Sequence, residues 1–457
     1  MWRKEERIDR SKMGKRRWNQ KRIYKNRRRI KFRFWIILFL CIGLAAGLGV
    51  GGLVVYTTMS KPKNIEKNKQ EIRFKQSKKR DVQKSETKKT TKDTDTKKEP
   101  SKDASKSKED PAESKAKELM ARMTLEEKVA QMFFIKPEAL TDVEVVVQAG
   151  DTTKEMLTKY PVGGFYYSTQ NVEDETQLKT MLTNTKAYNK YPMFLGIEEE
   201  GGKQASSLAN SGLVQVPQVA DMKDIGKTGD ASKAKEAGTV LGGYLSTYGF
   251  NVDFAPLADV CTNPQNTQIS TRAFGATSES VSAMVPEIIK GMQSKGIRSV
   301  GKYFPGNGDS IEDAETLAAT SSKSMEQLQK IDLVPFQAAI KANVDFMMVG
   351  HVSFPSIVGD DTPASLSPKI VKDLLRTKLK YNGIIITNSL DAGVITQTGD
   401  SASVAVKAIQ AGCDMMLQPE DFETAYNGVI SAVRSKTITE ERINESVIRI
   451  LKAKLKV

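Results

Sequence analysis

The chain has 457 residues, 27% of them charged, with a net charge of +15 and three cysteines, too few for a disulfide framework. The charge is uneven: residues 1–33 carry a net +13 and residues 61–115 a net +8, which leaves residues 116–457 at −6. Basic tails on an acidic body argue against a folded nucleic-acid-binding domain, so no nucleic-acid partner is predicted.

An uninterrupted apolar stretch, Phe34 to Tyr56, follows the basic arm of residues 1–33. It contains 23 residues and no charge, enough to cross roughly 30 Å of hydrocarbon with some tilt. We predict a transmembrane helix with the arm in the cytoplasm. A cleaved signal peptide is the alternative, but no clean small-residue cleavage site follows. Gly43, Gly47 and Gly51 have the spacing of a helix-dimer face, which would permit a weak homodimer.

Residues 57–115 are rich in Lys, Ser, Thr, Asp and Glu and almost lack large apolar side chains. Such a segment cannot bury enough surface to offset the entropy of ordering it. We predict a disordered linker that joins the membrane helix to a folded domain over residues 116–457. With the arm inside, this domain lies outside the cell, so the expected location is the cell membrane, with the domain at the cell wall.

The folded domain is expected to open with an amphipathic helix. Thr124 and Glu127 have capping-box spacing there. Helical periodicity predicts that one face of this segment packs on the core. The apolar positions of that face are Leu119, Met120, Met123, Leu125, Val129 and Met132.

Eight short apolar runs follow, many of them separated by helix-like stretches such as 281–295, 325–342 and 369–380. Alternating buried strands and helices predict an α/β fold, a (β/α)8 TIM-like barrel. An open doubly wound sheet is the alternative, but no Gly-rich phosphate loop follows the first strand. The runs are Met132–Ile135, Gly163–Tyr167, Met193–Ile197, Val252–Ala255, Ser299–Tyr303, Asp345–Val349, Ile384–Thr387 and Asp414–Leu417.

Polar side chains lie in or just after five of these runs, and the carboxyl ends of the strands are where a (β/α)8 barrel has its active site. Loops after strands are also polar in any protein, because helix caps need polar residues. His351 is the single histidine and follows an apolar strand, where a packed, hydrogen-bonded ring is the alternative to a site role. The strand of Asn388 is expected to break into a loop at that residue. The five residues are Glu198, Asp259, Lys302, His351 and Asn388.

Six segments, taken in order, resemble family 3 glycoside hydrolases of the β-N-acetylglucosaminidase branch. The resemblance implies a (β/α)8-like barrel, a GlcNAc-containing glycan or muropeptide as ligand, and neither metal nor cofactor. The segments are Met123-Thr-Leu-Glu-Glu-Lys-Val-Ala-Gln-Met, Gly196-Ile-Glu-Glu-Glu-Gly-Gly-Lys, Asn251-Val-Asp-Phe-Ala-Pro-Leu-Ala-Asp, Arg272-Ala-Phe-Gly, Gly301-Lys-Tyr-Phe-Pro-Gly-Asn-Gly-Asp and Pro363-Ala-Ser-Leu-Ser.

The sugar-binding positions implied by the resemblance are kept unevenly. Arg272, Lys302 and His351 match residues that hydrogen-bond sugar hydroxyls in the family. Glu198 stands where the family usually has Asp, and its carboxylate still accepts two hydroxyl hydrogen bonds. Other positions differ: Lys203 replaces an Arg and loses the planar fork, and Tyr303 and Asn307 replace two histidines.

Both catalytic groups of the family are replaced. Asp313 is kept, but Glu315 occupies the position of the general acid/base His, and Asn388 that of the carboxylate nucleophile. An amide cannot form a glycosyl ester, so the resemblance implies a catalytically impaired member.

Two alternatives stay open. The acetamide of an N-acetyl sugar can act as the nucleophile, with Asn388 orienting it and Glu315 protonating the leaving oxygen, which would keep β-N-acetylhexosaminidase activity. Asp391 is a further carboxylate near the site. The barrel could otherwise act as a protein-interaction scaffold.

Overall fold

The structure is a computed structural model that describes residues 110–310 and 318–456. The basic arm, the predicted membrane helix and nearly all of the linker lie outside the described residues, as do Asp313 and Glu315. Among the helices that are described, none is long and apolar enough to cross a membrane. The predicted anchor, the helix dimer and the linker up to residue 109 therefore stay predictions. The predicted end of the linker at residue 115 is wrong, because residues 111–115 already belong to the helix Pro111–Ala121, which Asp110 caps.

Eight parallel strands close into a barrel, as predicted. Around it the order is β1, β10, β9, β8, β7, β6, β3 and β2, and β2 pairs with β1. Each predicted apolar run contains or overlaps one of these strands. The two remaining strands, β4 and β5, form an antiparallel hairpin after β3. The bounds are Phe133–Ile135 (β1), Gly164–Tyr166 (β2), Phe194–Ile197 (β3), Glu199–Gly201 (β4), Ala205–Ser206 (β5), Val252–Asp253 (β6), Arg298–Phe304 (β7), Phe346–Val349 (β8), Ile384–Ser389 (β9) and Met415–Leu417 (β10).

Helices surround the barrel, and three predicted helices differ in detail. The helix predicted to open the domain is two helices, because Thr124 is an extended N-cap that forms the predicted capping box with Glu127. The predicted helix at 325–342 is divided at Ile331, and the one at 369–380 is a π-helix. The helices are Pro111–Ala121, Leu125–Gln131, Pro137–Thr141, Asp151–Lys159, Glu175–Tyr188, Met222–Lys227, Ala231–Tyr248, Ser278–Gln293, Met325–Lys330, Leu333–Lys341, Pro355–Val358, Gly393–Thr396, Ser401–Ala411, Phe422–Arg434 and Glu440–Leu455, with 3₁₀ turns at Thr169–Asn171 and Ala364–Leu366 and the π-helix at Lys369–Lys378.

Aromatic rings fill the inside of the barrel. The Phe134 ring lies 6.3 Å from that of Phe194 and 5.1 Å from that of Phe254. A Cβ on Gly164 or Gly196 would come within 2.8 or 2.6 Å of these rings, so the neighbouring strands need glycine there. A packed interior leaves the carboxyl ends of the strands as the place for a site.

Strand β9 continues through Asn388 to Ser389, so the strand ends two residues later than predicted and the break at Asn388 is wrong. Ser389 pairs with Leu417 of β10, and the Leu390 N–H donates to the Leu417 carbonyl over 2.9 Å. These parallel-sheet contacts hold Asn388 in extended backbone at the end of the barrel.

Candidate active site

A cavity of about 520 Å³ opens where the barrel strands end. Its wall brings together four of the predicted site residues. Another part of the wall is formed by mostly apolar side chains from four different strands or strand ends, namely Tyr166, Phe254, Met348 and Leu417. The four predicted residues are Glu198, Arg272, Lys302 and Asn388.

Glu200 holds the two cations of the cavity together. Arg272 donates from Nε and Nη2 to the two carboxylate oxygens of Glu200 over 2.8 and 2.6 Å. Lys302 Nζ lies 2.7 Å from Glu200 Oε1 and also pairs with Glu198. Burial alone would raise the pKa of Glu200, but the charges of Arg272 and Lys302 outweigh it and lower the pKa to about 2. Glu200 is therefore ionised and the cluster has two cations and two carboxylates.

The hairpin β4–β5 explains why three consecutive glutamates have different surroundings. Side chains alternate along a strand. Glu198 and Glu200 pair with the cations of the cavity, whereas the buried Glu199 accepts hydrogen bonds from the N–H groups of Leu208 and Ala209. Sequence reasoning missed Glu200, although the Glu-Glu-Glu run after β3 was a signal for it.

His351 lies behind the cavity. Its Nε2–H donates to the Ser389 carbonyl over 2.8 Å, and the Ser365 hydroxyl donates to Nδ1 over 2.9 Å. Burial lowers the pKa of the ring to about 4, so the imidazole is neutral. Among the described residues, those that form the cavity wall do not include His351. Its predicted contact with a sugar hydroxyl stays a prediction, and the contact the structure gives it supports the end of β9.

Asn388 and Asp391 both reach the cavity wall. Asn388 is nearly buried, at 6% exposure. The carboxylate of Asp391 accepts a hydrogen bond from the Ser389 hydroxyl over 2.6 Å and pairs with Lys136 over 3.3 Å. The cavity therefore has an amide where the family nucleophile is expected, and a nearby carboxylate that is already engaged with a cation.

Asp259, predicted near the site, supports the loop after β7. Its two carboxylate oxygens accept hydrogen bonds from the N–H groups of Tyr303 and Asn307 over 3.1 and 2.6 Å. Burial raises the pKa of Asp259 to about 7, although these two hydrogen bonds lower it. Tyr303 and Asn307 line the cavity, and the Tyr303 hydroxyl accepts from Arg272 over 3.3 Å. In the described part of the chain, no group of three or more side chains could hold a metal ion.

The family model described as "Glycosyl hydrolase family 3 N terminal domain" matches residues 124–453. The chain belongs to glycosyl hydrolase family 3. This confirms the resemblance drawn from the motifs. The chain is similar to the beta-N-acetylglucosaminidase/beta-glucosidase of Cellulomonas fimi, with 28% identity over 73% of this chain. The chain spans 58% of the length of that protein. A beta-hexosaminidase of Idiomarina loihiensis is 29% identical over 59% of this chain and 79% of its own length.

Two solved structures agree with the barrel. The family 3 beta-N-acetylglucosaminidase of Paenibacillus sp. str. FPU-7 has a TM-score of 0.68 and 32% identity, covering 73% of this chain and 62% of the other. The beta-N-acetylhexosaminidase of Beutenbergia cavernae has a TM-score of 0.65 and 24% identity, over 73% of this chain and 99% of its own. The second similarity supports the fold alone.

Proposed function

We propose that the cavity binds a terminal GlcNAc residue of a cell-wall glycan and that hydrolysis there is strongly impaired. Glu198, Arg272 and Lys302 supply charged acceptors and donors for sugar hydroxyls in one cavity. The relatives named beta-N-acetylglucosaminidase/beta-glucosidase and beta-hexosaminidase support a GlcNAc-type ligand. The observation that carries the impairment is Asn388, which lies in the wall of that same cavity.

The carboxylates near Asn388 are poor replacements for a nucleophile. Glu198 is paired with Lys302, and Asp391 is paired with Lys136 and hydrogen-bonded to Ser389. Both carboxylates are thus held by side chains of the cavity wall, and neither stands at the position of the family nucleophile. We expect the rate to be roughly a thousandfold or more below that of a working retaining enzyme.

An active β-N-acetylhexosaminidase is the second candidate, and the placement of Asn388 favours it over other active mechanisms. A side-chain amide in the cavity wall has the donor and acceptor needed to orient the acetamide of an N-acetyl sugar. The acetamide oxygen would then attack the anomeric carbon in place of a carboxylate. Glu315 would protonate the leaving oxygen.

Aryl GlcNAc and aryl glucoside assays of the wild type and of Asn388→Asp test both candidates. Impaired catalysis predicts negligible wild-type turnover and a gain in Asn388→Asp. Gln268→Glu is the matched control, because it also turns an amide of the cavity wall into a carboxylate, on an exposed residue. Turnover of GlcNAc alone by the wild type, lost in Glu315→Gln, would establish the assisted mechanism. Robust wild-type turnover of both substrates would refute impaired catalysis and also the assisted mechanism, because a glucoside has no acetamide.

Calorimetry separates glycan binding from a scaffold role. Wild type should bind GlcNAc–anhydro-MurNAc or a muropeptide, and Arg272→Ala should bind it more weakly. No heat at millimolar ligand, together with wild-type behaviour of Arg272→Ala in cells, would favour the scaffold.

The same protein is anchored by residues 34–56, with residues 1–33 in the cytoplasm and the barrel outside. The net charge of +13 before the apolar stretch supports this orientation. Protease added to intact, wall-stripped cells should remove the barrel. Complete protection of the barrel in intact cells but not in lysed cells would contradict the orientation.

A further inference from the structure

A second cavity, of about 530 Å³, lies beside the C-terminal helix, Glu440–Leu455, and the π-helix, Lys369–Lys378. Its wall is dominated by cations, with one carboxylate among them. The charged residues of the wall are Lys372, Arg376, Arg442, Arg449 and Glu445. Neither the family match nor the proposed glycan cavity assigns a function to this second cavity.

The cavity stands over a buried carboxylate at the amino ends of the strands. Asp414 directly precedes β10 and is fully buried, and it accepts a hydrogen bond from the Ile385 N–H over 3.0 Å. Three guanidinium groups surround it: Arg376 at 2.5 Å, Arg449 at 3.1 Å and Arg442 at 3.8 Å. Because Asp414 lies at the amino end of β10, the site is at the opposite end of the barrel from the glycan cavity. Because one carboxylate cannot neutralise three cations, the site has excess positive charge.

The three arginines differ in how many of their donors are used. Arg376 donates to two backbone carbonyls as well as to Asp414. Arg442 donates to the Ser446 hydroxyl and the Cys413 carbonyl. Within the described residues, Arg449 donates a single hydrogen bond, from Nη1 to Asp414, and its side chain is 27% exposed. The fork of Arg449 therefore has donors left for a ligand in the cavity.

We propose that this cavity binds a phosphate group, held by the guanidinium of Arg449 and the ammonium of Lys372. A planar guanidinium matches two phosphate oxygens, and a lysine adds a second positive charge. Thr377 and Thr439 also line the cavity, and a threonine hydroxyl can donate to a phosphate oxygen. Glu445, 4.0 Å from Arg449, competes with the ligand for the same guanidinium.

A neighbouring cavity of about 610 Å³ shares Arg449 and Glu445 with the second cavity. Its wall adds three cations, Lys380, Lys452 and Lys456, and two carboxylates, Glu113 and Asp345, of which Glu113 is paired with Lys452. A phosphate ester with a second anionic group could therefore contact both. A soluble phosphate ester and a phospholipid headgroup have this chemistry in common.

Titration of the full chain in neutral detergent tests the site, with inorganic phosphate, glycerol 3-phosphate and dihexanoyl phosphatidylglycerol as probes. Arg449→Gln should weaken phosphate binding by roughly tenfold or more, because it removes a charged donor. Lys372→Gln, on an exposed residue, should weaken it by a few fold. Glu445→Gln should strengthen it, which a loss of folding cannot imitate. Arg434→Gln is the control for net charge, since Arg434 is an exposed residue on another helix.

Weaker phosphate binding by Arg449→Gln and Lys372→Gln, together with stronger binding by Glu445→Gln, would support the site. Saturation by glycerol 3-phosphate alone would assign it to soluble esters, and saturation by the lipid as well would assign it to a headgroup. Equal affinities in wild type, Arg449→Gln and Glu445→Gln would overturn it, because the bound phosphate would then lie elsewhere, for example on the basic arm.

Discussion

Arg272 and Glu200 form a two-point ion pair, with Nε to Oε2 at 2.8 Å and Nη2 to Oε1 at 2.6 Å, and the side chains are 11% and 1% exposed. This pair fixes the guanidinium in the wall of the cavity at the carboxyl ends of the strands. It also makes the position of Arg272 depend on a residue that does not itself line the cavity.

Glu200→Gln should destabilise the barrel strongly. It removes the charge of the buried carboxylate that pairs with both Arg272 and Lys302 and leaves the two cations with the partly exposed Glu198, a type of change that costs about 3–5 kcal/mol. Glu198→Gln is the matched control, because Glu198 is 28% exposed and solvent screens its charge. Urea unfolding of both variants measures the difference, and similar losses would contradict the central role of Glu200.

The same ion pair makes the stability of the barrel depend on pH. The pKa of Glu200 is about 2 in the folded protein against an ordinary 4.5, so as the pH falls the unfolded chain is protonated at Glu200 before the folded protein is. Its stabilisation is complete above about pH 4.5 and is lost as the pH falls towards 2. Unfolding of wild type and Glu200→Gln between pH 5 and 2.5 should therefore converge. A constant gap over this range would contradict the lowered pKa.

His351 should make the barrel less stable as the pH falls from 7 to 4. The unfolded histidine takes up a proton near its ordinary pKa of 6.5, whereas the buried ring has a pKa of about 4. The difference corresponds to about 3 kcal/mol. His351→Gln should remove the part of the pH dependence of the unfolding free energy that comes from this ring. Comparing wild type with His351→Gln separates the contribution of His351 from that of Asp259, whose raised pKa changes the stability in the opposite direction. Parallel profiles would contradict the buried neutral ring.

Two glycines on the helix Ala231–Tyr248 should respond oppositely to alanine. A Cβ on Gly238 would lie 2.2 Å from the Ile288 carbonyl oxygen, whereas one on Gly243 meets nothing within 4 Å. Gly238→Ala should lose about 1–3 kcal/mol through overpacking. Gly243→Ala should gain about 0.5–1 kcal/mol from helix propensity. Thermal or urea unfolding measures both, and a stabilised Gly238→Ala would contradict the close helix contact.

Arg272→Lys should weaken GlcNAc binding by roughly tenfold even where the barrel stays folded. A lysine keeps the charge but cannot make the two-point contact with Glu200, so its ammonium is not held in place. Calorimetry with the muropeptide measures the loss. Arg434→Lys, on an exposed residue, is the control and should bind as wild type does. Equal affinity of Arg272→Lys and wild type would show that Arg272 acts through charge alone.

The sequence by itself determined the barrel. Its strands are short apolar runs such as the one that contains β8, and burial on both faces makes such runs visible without any contact information. The sequence also located the candidate site, because parallel strands bring the residues at their carboxyl ends, Lys302 and Asn388 among them, to one end of a barrel.

Only the tertiary structure decided which of these side chains meet. Glu200 joins Arg272 and Lys302 across 72 and 102 residues of chain, and no periodicity encodes such a pair. His351 has the position of a site residue, yet its ring turns to Ser365 and Ser389 behind the cavity wall. The position of a strand in the barrel determines where its carboxyl end lies. The hydrogen-bond partner of each polar side chain depends instead on which buried donors and acceptors lie within reach once all eight strands have closed into the barrel.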